Sequence, residues 1–512
     1  MPFLILYVGL SCILFIVVWR AITVKSRLPL PPGPPQEFIY GNWHQMPISH
    51  SWRTYAAWAQ KCGPLVYLRV FTHHMIVLNT ASSATELLDM RSATYSDRPY
   101  STMKYEIASR ALSVFTITSS HPRFRRYRRI LHTGLSQAAT QSYNALLEDE
   151  VRTLARGLRD SPSDLVKHVR RNAGAVIMKL TYGWTVKEVD DYFVRLMKEG
   201  FEMSRQVSTP GRWLVDVFPV LQYVPAWFPG AGFQRIGKAL GEGMNRTERI
   251  PFEWTKSQMA SEKFTESFTS RHLRPSDGHT VDAEEEDIIK WCSAALYAGG
   301  ADTTVSALTS FFYAMTLNPD IQARAQEEVD AHMETEHCLP RISDLPYLPY
   351  VQALVKEVLR WAPVAPLGLP HRVIEDDVYM GYRIPKGTIM VPNIWLVPNI
   401  MRDPDCYPDP FKFDPGRFIT DSGKDVVQPD PRKFAFGFGR RICPGAHFAE
   451  VSLQISIATI LRLYSVSRPR DSNGQEVEMD VGWTSGVTSH VENLTCDIRL
   501  RSPELGELLN EE

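Results

Sequence analysis

The sequence contains no C-x-x-C pair, and its seven cysteines are scattered at positions 12, 62, 292, 338, 406, 443 and 496 of 512 residues. The odd number and the spacing argue against a disulfide framework and a zinc ribbon, and fit a reducing compartment. Charge imbalance is also missing. The formal net charge is −1, so bulk composition gives no reason to expect a nucleic-acid partner. There is no internal repeat at solenoid periods. No G-x-G-x-x-G sits between a strand and a helix, which removes the usual fingerprint of a dinucleotide site. What remains is ordinary globular composition, 44% hydrophobic and 22% charged, in a chain long enough for one large core or several domains.

Only one long hydrophobic run is present, Phe3 to Trp19, followed by Arg20, Lys25 and Arg27. It lies at the short end of a membrane span, roughly 17 to 25 residues, and reaches Val24 if Arg20 snorkels. No positive charge precedes it and no small-residue cleavage site follows, so an uncleaved anchor over residues 1–24 is expected rather than a signal peptide. The flanking cations would keep the downstream side cytoplasmic. Residues 25–36 then carry Leu28-Pro-Leu-Pro-Pro-Gly-Pro-Pro35. Proline fixes φ, so a stiff extended spacer is expected there.

Residues Pro64 to Asn79 read as two short strands, and Asp377 to Val391 as more of the same. Ser82 to Met90, Asn144 to Asp160, Asp164 to Leu180, Asp287 to Leu317 and Tyr350 to Trp361 have helical period. Tyr100 to Thr118 reads as a long loop with short helical pieces. Trp213 to Phe233 is apolar and aromatic but broken by Pro219, Pro225 and Pro229. It suits plain core or contact with a membrane interface, where Trp and Tyr collect, and membrane contact is the expectation.

Chemistry concentrates in Phe434-Ala-Phe-Gly-Phe-Gly-Arg-Arg-Ile-Cys-Pro-Gly-Ala-His-Phe-Ala-Glu450. Gly437 and Gly439 permit backbone conformations closed to other residues, and Pro444 suits the first position of a helix. A cysteine at a helix N-terminus gains thiolate character, as a nucleophile or a metal ligand. The plain alternative for Cys443 is a small buried hydrophobe. A second cluster is Gly299-Gly-Ala-Asp-Thr-Thr304, inside the long helical run. Two interior glycines cost about 1 kcal/mol each relative to alanine, which points to close approach or to a kink. Glu357 and Arg360 share a helix face, as do Phe124 and Arg128 within His121-Pro-Arg-Phe-Arg-Arg-Tyr-Arg-Arg-Ile130.

Phe436 to Gly445 resembles the haem-binding signature of the cytochrome P-450 family, and the chain looks most like its fungal membrane-bound members related to O-methylsterigmatocystin oxidoreductase. The resemblance implies a mainly α fold with a small β-rich subdomain, over a catalytic domain at 37–505 and a tail at 506–512. It implies haem b, with Cys443 as axial thiolate, Phe436 beside the sulfur, and Gly437 and Gly439 shaping the loop. Arg441, Arg128 and His371 would meet the haem propionates. The family usually places Trp where this chain has Phe124, so Phe124 is expected to pack only. Asp302 and Thr303 would relay protons for dioxygen chemistry, a task suited to a carboxylate beside a hydroxyl, and Thr304 would be structural. Glu357, Arg360 and Arg417 would form a buried structural triad. Gly299, Gly300, Val364, Ala365 and Leu367 would face substrate, and Thr484 to Ser489 would close the pocket.

The implied reaction is monooxygenation of an apolar small molecule such as a terpenoid, polyketide, steroid or aromatic compound. Electrons would come from NADPH through a separate cytochrome P-450 reductase, since this chain has no flavin unit of its own. Positive residues around Arg123 to Arg129 and Arg440 could help dock that partner. The expected location is the endoplasmic reticulum membrane, with membrane lipid as a partner and the catalytic domain cytoplasmic. Asn245 and Asn493, each in an Asn-x-Thr sequon, would then stay unmodified. A reductase-independent haem-thiolate isomerase or dehydratase is the alternative. Asp302 and Thr303 argue against it, because such an enzyme can do without a proton relay.

Overall fold

Helical apolar stripes account for most of the architecture. In the helix Asn144–Asp160, Leu147, Val151, Leu154 and Leu158 line one buried face. That face and the helix Leu165–Tyr182 pack in the main core with the long helix Ala283–Leu317. The long helix is buried nearly all round, as a central helix must be. It starts one turn earlier than its apolar pattern indicates. The Asp282 carboxylate caps it by accepting from the Glu285 N–H at 2.8 Å, and Glu284 to Glu286 complement the positive end. Pro319 opens the next helix and stops this one. The helix Ala446–Leu463, which follows the cysteine loop, lies against the same core.

The computed structural model describes residues 28–510, apart from 188–190, 210, 263, 335–336, 396–399, 420–427 and 472. The run Phe3 to Trp19, the anchor expected at 1–24 and the last two residues of the tail lie outside the described residues. Among the described residues, no helix is long and apolar enough to cross a membrane.

The β-rich part is small. Strands β1 (Leu65–Val70) and β2 (His73–Leu78) form an antiparallel hairpin, as the sequence indicates. With β3 (His371–Arg372) and β6 (Ile389–Pro392) they make a sheet of order β1-β2-β6-β3. A separate hairpin, β4 (Asp377–Tyr379) with β5 (Tyr382–Ile384), lies between β3 and β6 in the chain. The remaining pairs are β7 (Tyr464–Ser467) with β10 (Asp497–Leu500), and β8 (Gly482–Trp483) with β9 (Val491–Glu492). Ser82 to Met90 is not one α-helix: a short turn Ala81–Ala84 widens into a π-helix over Thr85–Met90.

The proline-rich segment is pinned to β1 and to the β4–β5 hairpin rather than free. The Pro32 carbonyl accepts from the Tyr67 N–H, and the Pro29 carbonyl from the Arg383 N–H, both at 2.8 Å. The Tyr67 carbonyl oxygen lies where a Cβ on Gly33 would have to sit, so only glycine lets the chain run this close to β1. Nearby, the Trp213 to Phe233 stretch forms a short helix Leu214–Val217 and a 3-10 turn Pro219–Tyr223. Trp213 and Val215 are buried, but Val220, Tyr223 and Trp227 are each at least 70% exposed. The Phe218 ring meets Phe71, which meets Tyr40, so this patch continues into the exposed Phe38, Ile39 and Tyr40.

Candidate functional site

The cysteine loop is built by its backbone. The Cys443 N–H donates to the Phe436 carbonyl at 2.8 Å, which closes the loop. Gly437 (φ +80°) and Gly439 (φ +51°) are left-handed. At Gly439 a Cβ would sit 2.5 Å from the Leu88 carbonyl oxygen, while its N–H donates to Asp89 at 2.6 Å. Phe436 packs on the main core, and Phe434 and Phe438 anchor the loop in the sheet-side core. The helix itself begins at Ala446 with Gly445 as its cap, so Pro444 lies just outside it.

Cys443 is surrounded by protein on nearly all sides, yet its side chain keeps accessible surface. Burial pushes the thiol up, while the Gly445 N–H and Arg128 pull it down, and burial wins. The helix-end effect read from the sequence is therefore outweighed in the protein alone, and a bound metal would supply the missing stabilisation of the thiolate.

Around the cysteine loop sits a cluster of three arginines, with Asp97 as a counter-charge near Arg98 and Arg441. Arg128 donates to the Ile442 carbonyl at 2.7 Å, next to the cysteine. Arg441 donates to the carbonyls of Ser96 (2.9 Å) and Ile117. Arg98 donates to the carbonyls of Phe115, Leu369 and Pro370. Among the described residues none of the three has a carboxylate hydrogen-bond partner. Burial lowers all three, Arg98 to about 9 and Arg441 to about 10. His371 is buried and lowered to about 3 by burial, Arg98 and Arg441. Its Nδ1–H must donate to the Tyr95 carbonyl at 2.7 Å, because a carbonyl only accepts, and this leaves Nε2 without a proton in the neutral ring. A partly buried cluster of this sign, with more cations than nearby carboxylates, favours added anions. A flat group with two carboxylates and a metal that takes a thiolate fits both the cations and the cysteine.

Phe124 does more than fill space. The Arg441 guanidinium stands 4.2 Å above its ring centroid, a cation–π contact. The chain loses an indole donor here and gains a platform for Arg441.

On the other side, the long helix passes through Gly299-Gly-Ala-Asp-Thr-Thr304 without interruption. The Thr303 hydroxyl donates to the Gly299 carbonyl at 2.6 Å and the Thr304 hydroxyl to Gly300 at 2.8 Å. Gly299 fronts open space, with Phe115 at 4.0 Å from the place of a Cβ. Gly300, expected in the substrate pocket, instead packs on Ile177 of the Leu165–Tyr182 helix, 2.7 Å from where its Cβ would be. Asp302 meets His490 Nε2 at 3.1 Å. Burial pushes the Asp302 carboxyl up, but the His490 and Thr488 contacts and the charge of Arg170 outweigh it, so it lies below its ordinary range. Val364, Ala365 and Leu367 are half-buried. Val364 packs on the main core and Leu367 on the cluster behind β1 and β2.

The triad residues come together in full burial. Glu357 receives a two-pronged contact from Arg360, at 2.6 and 2.8 Å, and the Asp414 N–H at 2.7 Å. Arg360 spends its other donors on the carbonyls of Met401, Pro410 and Lys412. Arg417 Nε lies 3.5 Å from Glu357, and its terminal nitrogens bind the carbonyls of Pro408, Asp409 and Lys412. Arg360 thus has the full hydrogen bonding that a buried ion cluster requires, whereas Arg417 Nε meets Glu357 only as a long ion contact.

Two residues of this site were not legible in the sequence. Arg98 sits in Ser96-Asp-Arg-Pro99, where the proline forces an extended path but nothing marks the arginine as buried. His490 carries no local signal at all.

Comparison with known proteins identifies the family. The cytochrome P450 family model matches residues 31–490. Cytochrome P450 monooxygenase 208 of Postia placenta is 41% identical over 98% of this chain and 96% of its own. Cytochrome P450 monooxygenase claR of Ampulloclitocybe clavipes is 36% identical over 95% and 89%. Cytochrome P450 monooxygenase ppsD of Aspergillus oryzae is 36% identical over 96% and 92%. The chain belongs to the cytochrome P450 family. It is a haem-dependent oxidoreductase of the monooxygenase type with the mainly α fold of that family.

Proposed function

We propose that this protein inserts one oxygen atom into an apolar small molecule, a secondary metabolite such as a terpenoid or polyketide or a foreign aromatic or steroid. The observation that carries the reading is the exposed Cys443 beside one buried and two half-buried arginines, which among the described residues lack carboxylate hydrogen-bond partners. Cys443 would hold the iron of haem b, and Arg98, Arg128 and Arg441 its propionates. When bound, the haem activates dioxygen, with the thiolate favouring O–O cleavage. His371 would join the propionate set only by taking a second proton on Nε2, since Nδ1 is committed to Tyr95.

The chain's own part in the chemistry is proton handling and exclusion of water. Asp302, ionised at rest, would take up a proton at Oδ2 transiently and pass it inward. Thr303 would accept at Oγ1, because its hydroxyl proton is already given to Gly299. Gly299 leaves room beside Phe115 for substrate. Electrons would come from NADPH through a separate reductase. Arg125, Arg129, Lys433 and Arg440 are exposed on elements that flank the cysteine loop and would attract an acidic partner. Residues 1–24 would anchor the protein in the endoplasmic reticulum membrane. The exposed Val220, Tyr223, Trp227 and Phe38 patch, next to the pinned proline segment, suits contact with that membrane.

The test is product formation in membranes that carry this protein and a reductase, supplied with terpenoids, steroids and polycyclic aromatics. A mass gain of one oxygen that needs NADPH and disappears in Cys443→Ala supports the reading. A rearranged or dehydrated product formed without NADPH overturns it in favour of an isomerase or dehydratase.

A further inference from the structure

We propose that His490 is a positioning residue that holds Asp302 and recharges it with protons. The inference rests on the proton role proposed for Asp302 and extends it to a residue 188 positions away in the chain. His490 Nε2 lies 3.1 Å from Asp302 Oδ2, with the two side chains 17% and 34% exposed. Its other ring nitrogen, Nδ1, is buried and has no hydrogen-bond partner among the described residues. The ring thus has one nitrogen on the relay carboxylate and one idle. A purely structural clamp would gain by satisfying both.

The loop carrying His490 is not loosely placed. The His490 N–H donates to the Thr484 hydroxyl at 2.8 Å, and the Thr484 N–H to the His490 carbonyl at 2.9 Å. Ser489, fully buried, donates its N–H to the Val364 carbonyl at 2.9 Å, and its own carbonyl accepts from the Ser306 hydroxyl. One loop is therefore tied at once to the long helix, one turn beyond Asp302, and to the segment expected to face substrate. A change at Val364 would be felt at His490 through a single residue.

The chemistry follows from the ring. A carboxylate that gives up a proton must be reprotonated before the next turnover. An imidazolium at hydrogen-bond distance does this in one step. The Nε2–H bond breaks, the Oδ2–H bond forms, and imidazolium plus carboxylate become imidazole plus carboxylic acid. Water then returns a proton at Nε2, on the exposed part of the ring, since Nδ1 is buried. The other groups facing Asp302 cannot substitute. Arg170 does not release its proton. Tyr297 is buried and its hydroxyl is pushed up. Thr488 offers only a neutral hydroxyl.

The test compares His490→Gln, His490→Ala and Asp302→Asn in the haem-loaded protein with its reductase. Glutamine keeps an N–H donor near the Nε2 place but cannot titrate. The measurement is product formed and hydrogen peroxide released per NADPH oxidised, in light and heavy water, across pH, using the compound that the product assay returns. The expected result is a fall in product per NADPH of about tenfold in both His490 variants, with a larger solvent isotope effect and a flattened pH profile. A His490→Gln protein that matches wild type in all three overturns the proposal and leaves a structural role. Thermal melting of the two single variants and of the His490→Gln, Asp302→Asn double variant reads the contact without turnover. Non-additive shifts are expected, and additive shifts overturn the pairing. A wild-type protein that oxidises no substrate with NADPH would sink the monooxygenase reading instead, and the melting cycle would still decide the contact.

Discussion

The two sides of the site are held by different means. On the cysteine side, partners are mostly backbone: Cys443, Arg128, Arg441, Arg98 and His371 all bond to carbonyls. On the helix side, the key carboxylate is held by side chains of a remote loop, His490 and Thr488. Backbone partners cannot be changed by substitution and have few alternative positions. Side-chain partners can titrate and move. The first arrangement suits a group that must stay fixed, and the second suits a proton that must travel.

The comparison breaks most completely at the cysteine. Cys443→Ala is expected to abolish product and the red-shifted absorption band of the carbon-monoxide complex. Retention of that band would mean that another residue binds the iron. Arg360→Ala comes next. It leaves Glu357 fully buried without its main partner, a change that costs about 3–5 kcal/mol. Little soluble, haem-loaded protein is expected, and a normal melting temperature would deny the triad its role.

Asp302→Asn tests the other side. Product should fall about 10²-fold, the low end for a lost proton-transfer group, while the carbon-monoxide band stays. Its stability should also depend on pH in a defined sense. The folded Asp302 carboxyl lies below its ordinary value, so the stability it contributes is present above the unfolded value. It is lost as pH falls through the folded value. The melting deficit of Asp302→Asn should therefore be largest near neutral pH and vanish in acid below the usual carboxylate range. A deficit that grows in acid would reverse the assignment.

The smallest effect is expected at Phe124. Phe124→Leu removes the cation–π platform under Arg441, worth about 1 kcal/mol. A modest loss of haem retention should follow, smaller than that of Arg441→Ala. Equal losses would show that the ring is the whole support of the guanidinium.

Much of this protein was written in local pattern. The stripe of Leu147, Val151, Leu154 and Leu158, the strands on either side of Phe71, and the loop around Cys443 follow from period and from glycine placement, which act over a few residues. Glu357 and Arg360 pair through one helical turn, so their contact was already in the spacing. Helix ends were less legible: Asp282 moved the start of the long helix because a cap can override the apolar pattern.

Tertiary structure alone decided the rest. Gly300 belongs to the packing on Ile177 and Gly299 to open space, although the two are adjacent and identical in the chain. Arg98 became a buried cation, and the Cys443 thiol was raised rather than lowered, because burial depends on what other segments cover a residue. His490 reached Asp302 because the Thr484 loop is folded back onto the long helix. Sequence determined which chemistry the chain can support, since that needs only the right side chains at short spacing. Desolvation and long-range contacts determined which of those side chains meet, because both arise only when distant segments pack together.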